Sequence, residues 1–117
     1  MPRIFTCGSP GRRTEFVYEG NIDNGVILKF ASGNVEVSSE LLKAAIDQFK
    51  GKEIRGGFSM TSPTCGGFGE WVQNKSKILN KTSLTPRHGS FVAAILQEKG
   101  YLKCTLDGNA VILKFNP

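Results

Sequence analysis

Residues 85–115 read TPRHGSFVAAILQEKGYLKCTLDGNAVILKF, and the order of structure within this stretch decides the fold. Thr85 suits an N-cap, and Pro86 suits the first helical position, where an N–H would have no partner. Phe91, Val92, Ile95 and Leu96 then recur at helical spacing. Gly100 supplies the left-handed residue on which helices end. Beyond it the period drops to two. Leu102, Cys104 and Leu106 alternate, Asp107-Gly108-Asn109 turns, and Val111, Leu113 and Phe115 alternate back. The stretch therefore predicts a helix followed by a β-hairpin.

Upstream, Phe68, Trp71, Val72, Lys75 and Leu79 lie roughly on one side of a second predicted helix. Residues 37–52, VSSELLKAAIDQFKGK, predict a third. Ser38 or Ser39 caps it, Glu40 suits its positive end, and Leu42, Ala45, Ile46 and Phe49 form its stripe. Gly51 is placed to end it. Between these helices Ile54 to Met60 predicts a strand and TSPTCGG a loop. The N-terminal third reads as a β-meander with one buried face, built from RIFTC, TEFVYEG, VILKF and VEV with turns at NIDNG and ASGN. The pentapeptide VILKF occurs at residues 26–30 and 111–115. The intervals around the copies do not correspond, so both are read as hairpin return strands that converged on β-branched and aromatic residues.

A chain of 117 residues with 39% hydrophobic content fits one α+β domain spanning residues 1–117. No apolar run approaches the ~20 residues that cross a bilayer, and the N-terminus has no apolar secretory core. Cys7, Cys65 and Cys104 are far apart and odd in number, which argues against a disulfide framework or a zinc knuckle. Three free thiols in a reducing, cytoplasmic setting are the expectation, with no metal or other cofactor.

The formal charge is +5 and the pI about 9.3, compatible with a polyanionic partner. No acidic residue separates Glu70 from Glu98, whereas Lys75, Lys77, Lys81 and Arg87 fall inside that interval. Lys103 and Lys114 lie opposite the apolar stripes of the hairpin. In element order, helix, helix and hairpin, the C-terminal half resembles winged helix-turn-helix proteins. The connector LNKTSLT is longer than the tight turn of the strict motif. The resemblance implies a second helix that enters a major groove and a hairpin lying along the backbone. On it rests the expectation of a non-catalytic module for double-stranded DNA. Lys75, Lys77, Lys81 and Lys103 would contact phosphates, Arg87, Ser90 and Gln97 would face the groove, and Asn109 would sit at the wing tip.

The competing expectation is a protein-interaction or assembly module, using an edge strand or the small-residue helix face of Ser90, Ala93, Ala94 and Gln97; the alternative reading of Gly89, Ala93 and Ala94 is that they let another element of the same protein pack closely. An enzyme would need Cys65 and His88 as a thiol–imidazole pair, but no carboxylate lies near His88 to orient it, so the chain reads as non-catalytic. CGSPGRR and TCGGFGE match neither a phosphate loop nor a dinucleotide fingerprint. Phe68 and Trp71 read as core aromatics rather than base-stacking platforms, and His88 as a structural histidine.

Overall fold

The computed structural model describes residues 3–6, 14–58, 66–80, 82–107 and 110–117. The meander is present and has four strands: β1 (Arg3–Phe5), β2 (Glu15–Asn21), β3 (Gly25–Phe30) and β4 (Gly33–Val37), neighbours in that order and all antiparallel. Period-two alternation puts Phe16, Tyr18, Val26, Leu28 and Val37 on the inner face, and all five are buried. The outer face carries Glu15, Glu19, Lys29 and Glu36. Its Lys29–Glu19 contact of 3.4 Å is exposed and contributes little.

Helix α1 (Ser39–Phe49) starts where the Ser38 hydroxyl accepts from the Leu41 N–H at 3.1 Å. The same hydroxyl donates to the Leu79 carbonyl, and the Ser38 N–H donates to Asn80 Oδ1 at 2.7 Å. One cap thus ties the start of α1 to the end of α2 (Phe68–Leu79). Gly51, at φ +73°, ends α1 as expected.

The strand expected from Ile54 is shorter, β5 (Glu53–Arg55), and Met60 lies outside the described residues. It joins the C-terminal hairpin, β6 (Leu102–Asp107) and β7 (Ala110–Phe115), in a three-stranded antiparallel sheet of order β5-β7-β6. Both VILKF copies are therefore return strands. Leu102, Leu113 and Phe115 are buried on the inner face, where Phe115 meets Phe49 and Phe68 at ring separations of 5.4 and 6.0 Å.

Helix α3 (His88–Glu98) lies between the two sheets. Its N-terminus differs from expectation. Thr85 does not cap with its side chain. Instead, the Thr85 N–H donates to His88 Nδ1 at 3.0 Å, and the chain enters the helix through i→i−3 bonds from His88, Gly89 and Ser90. The far end is a Schellman motif: Gly100 (φ +87°) donates to Gln97 O, and Tyr101 donates to Leu96 O.

The decisive feature of α3 is its burial on every side. Every residue from Gly89 to Leu96 is buried. Phe91 packs edge-on against Phe16 at 4.9 Å and Phe30 at 5.0 Å, so the N-terminal sheet lies over the helix. Buried Tyr18 donates to Glu98 Oε1 at 2.6 Å, and burial together with that carboxylate holds the phenol pKa well above its usual range. On the other side the backbones touch. A Cβ on Gly89 would stand 3.1 Å from Gly69 Cα in α2, and one on Gly69 would collide with the carbonyls of Gly57 and Pro86. Element order is that expected of a winged helix, but the helix that would read a groove is interior.

Candidate functional site

Six of the eight residues expected to touch nucleic acid are described, and those six do not form one surface. Ser90 is buried, and its hydroxyl donates to the Arg87 carbonyl at 2.8 Å, so it cannot reach a base edge. The groove-facing assignment of Ser90 is corrected accordingly. The Gln97 side chain accepts from the Cys104 N–H at 2.6 Å and serves as a brace between α3 and β6. Arg87 is exposed at the start of α3. Lys75 and Lys77 are both exposed, but two residues at 100° each point them about 160° apart around α2. Lys81 and Asn109 lie outside the described residues, as does Cys65, so the separation of Cys65 from His88 does too.

Two further expectations change. The small-residue face of α3 does not offer a partner surface, because Gly89, Ser90, Ala93 and Ala94 are buried within the protein itself. Cys104 is not a free thiol: it is disulfide-bonded, and its partner lies outside the described residues. The thiol argument for a reducing compartment therefore falls. No helix is long and apolar enough to cross a membrane, and no group of three or more His, Cys, Asp or Glu suited to a metal occurs, among the described residues.

His88 is structural in the way its neighbours dictate. Its Nδ1 accepts from the Thr85 N–H, and its ring lies 6.4 Å from that of Phe91. Burial first, and the Arg87 charge second, lower its pKa below the usual 6.5. The ring is thus neutral, with its remaining proton on Nε2.

Cations do gather elsewhere, on the outer face of the C-terminal sheet. Lys103 stands directly across from Lys114, Glu53 across from Lys114 on the other side, and Arg55 across from Ile112. Alternation turns all of these away from the inner face of Leu102, Leu113 and Phe115. Lys103, Lys114, Arg55 and Glu53 are exposed, and Thr105 and Ile112 half-buried between them. None of the three cations forms an ion pair with a described residue. Strand spacing and rise place Arg55 roughly 12 Å from Lys103 along the diagonal of this face. Like charges directly opposite in a sheet repel, so the Lys103–Lys114 pair is a small cost to the fold. The hairpin alternation pointed to Lys103 and Lys114. Arg55 was missed, because nothing in EIRGG tells which strand it will join.

Charge is also polarised along the chain. Residues 14–49 hold six anions and two cations, whereas residues 50–117 hold ten cations and four anions. The edges of both sheets are partly occupied by the protein's own amides. Asn80 bonds the Glu36 carbonyl and the Ser38 N–H at the end of β4, and Gln97 takes the outward Cys104 N–H of β6. The chain matches no protein-family model, no curated protein and no solved structure.

Proposed function

We propose that the protein is a non-catalytic nucleic-acid-binding module whose contact surface is the outer face of the C-terminal sheet, not the third helix. The single observation that carries this reading is the register that sets Lys103 against Lys114 with Arg55 on the same exposed face. Three cations that form no ion pair with a described residue, on a face that also carries Glu53, offer phosphates a pre-organised contact, and their neutralisation releases counterions. The acidic outer face of the meander orients the encounter, because it repels a polyanion from the opposite side. Base edges are not read by α3 in this arrangement, so binding is governed by backbone charge rather than sequence.

Fluorescence anisotropy of a labelled duplex across a salt series tests the proposal. Three phosphate contacts predict a slope of log K against log salt near −2.7, and hence a loss of roughly 40-fold between 50 and 200 mM salt. Removing Lys103 with Lys103→Ala should reduce the slope by about one unit for every sequence tried. A slope near zero, or one that is unchanged in an Arg55/Lys103/Lys114 triple alanine variant, refutes the assignment. The edge-strand alternative is weakened at β4 and β6, whose edges carry the amide caps described above, and would have to use β1 or β5.

A further inference from the structure

A groove of about 320 Å³ lies between the end of α1 and the start of α2, lined by Gln48, Phe49, Gly66, Gly67, Glu70, Trp71, Asn74 and Lys75. Its volume sits at the small end of ligand cavities. Trp71 is half-buried at its wall, where Phe68 stacks on the indole at 6.0 Å with a 15° tilt and Phe49 meets it edge-on at 5.3 Å. Two rings therefore hold the indole rigidly, and a planar partner finds an aromatic surface already in place. The polar groups around it are uncommitted. Neither the Gln48 amide, the Asn74 amide nor the Trp71 indole N–H bonds to another described residue, and Lys75 pairs with no described carboxylate. Glu70, the one acid in the groove, is engaged: its carboxylate accepts from the Gly66 N–H at 3.1 Å at the positive end of α2.

An aromatic plate, two free side-chain amides and a cation at the rim form a constellation suited to an unpaired nucleobase and its phosphate. Splayed bases stack on aromatic side chains and are hydrogen-bonded along their edges, which a paired base in a duplex cannot offer. We propose that this groove docks an unpaired base of a single strand against Trp71, with Gln48 and Asn74 at the base edge and Lys75 at the adjoining phosphate. The proposal rests on the nucleic-acid reading and deepens it, since it assigns a preference for single strands over duplex.

Trp71 is the only tryptophan, so its emission reports on the groove alone. The intact protein is titrated with an oligothymidylate, with a duplex of equal length and with thymidine monophosphate at matched nucleotide concentration, while anisotropy of the labelled strands follows binding separately. The expected result is quenching by the single strand, none by bound duplex, and none by the mononucleotide until roughly 100-fold higher concentration. Lys75→Glu and Asn74→Ala, both on the exposed side of α2, remove the phosphate and base-edge contacts and should each weaken the single strand by roughly 5-fold more than the duplex, the scale of one hydrogen bond. Binding of the strand without change in Trp71 emission overturns the proposal and leaves the sheet-face reading standing. Quenching by the mononucleotide at equal concentration overturns it in favour of a free-nucleotide site. Absence of any anisotropy change with either polymer removes both readings.

Discussion

Replacing Gly69 by alanine tests the close packing that makes α3 interior. Gly69 is the second residue of α2, where alanine would ordinarily gain about 0.5–1 kcal/mol of helix propensity over glycine. Here the added Cβ would collide with the Gly57 carbonyl and stand 2.9 Å from the Pro86 carbonyl, so backbone from two separate segments blocks it. Neither obstacle is a flexible side-chain end that could swing away. Relief requires α2 to withdraw from both, which stretches the 2.7 Å bond from the Gly69 N–H to the Gly56 carbonyl. Overpacking of this kind costs about 1–3 kcal/mol, and a weakened hydrogen bond about 1 more. Net of propensity, Gly69→Ala should destabilise by about 1–3.5 kcal/mol, which for a chain of this length lowers Tm by roughly 4–15 °C. Urea unfolding followed by circular dichroism measures it, with Lys77→Ala on the exposed side of α2 as the control expected within ±0.5 kcal/mol. A Gly69→Ala variant as stable as the parent would refute the three-way contact of Gly57, Gly69 and the Pro86 turn.

His88 gives a pH signature with a definite sign. Its folded pKa lies below the unfolded 6.5, so the unfolded chain binds the proton more tightly. Its contribution is complete above pH 6.5 and is lost as the pH falls from there through the folded value. Urea midpoints measured between pH 7.5 and 5 should therefore fall on acidification, and His88→Ala should remove that part of the dependence; a midpoint that rises as the pH drops contradicts the assigned tautomer. The disulfide at Cys104 predicts one titratable thiol per denatured, unreduced chain and three after reduction. Reduction should cost about 4 kcal/mol for a closed loop of some tens of residues, read as a drop in Tm, and three thiols before reduction would exclude the bond.

Local chemistry made the elements legible, and long-range pairing hid the site. The Ser38 cap, the Gly51 and Gly100 stops and the alternation of Leu102, Leu113 and Phe115 are each written within a few residues of where they act. They placed α1, the end of α3 and the hairpin. What a helix packs against is not local. On a wheel, Ser90, Ala93 and Ala94 look like an outer face, because their burial depends on the Gly57–Gly69–Gly89 approach and on the N-terminal sheet that brings Phe16 and Phe30 over Phe91. Arg55 was hidden for the same reason, since β5 pairs with a strand that begins more than fifty residues later. Lys75 and Lys77 add to the charge count of the C-terminal half, but a count ignores the roughly 160° between them around α2. Trp71 read as core, yet only part of its ring is covered.

Covering α3 changes what kind of recognition the charge pattern can support. A helix in a groove would bring cations and base-reading groups to one ridge. Here the ridge is enclosed, and the exposed cations lie on one sheet whereas Glu15, Glu19 and Glu36 lie on the outer face of the other. The outer faces of two sheets separated by one layer of helices are roughly 20 Å apart. At physiological salt the Debye length is about 8 Å, so the acids of the meander are screened from a polyanion lying on the C-terminal sheet, and what it meets there is the three cations with Glu53 beside Lys114. At 10 mM salt the Debye length reaches about 30 Å, comparable to the 32 × 30 × 28 Å extents of the molecule. Glu15, Glu19 and Glu36 are then felt by the same polyanion, and part of the attraction cancels. The salt dependence should therefore flatten below about 30 mM rather than steepen continuously, and neutralising the three glutamates to glutamine should restore a straight line. A plot that stays linear to the lowest salt with the glutamates intact would mean that the polyanion approaches from a direction on which the acidic sheet has no bearing.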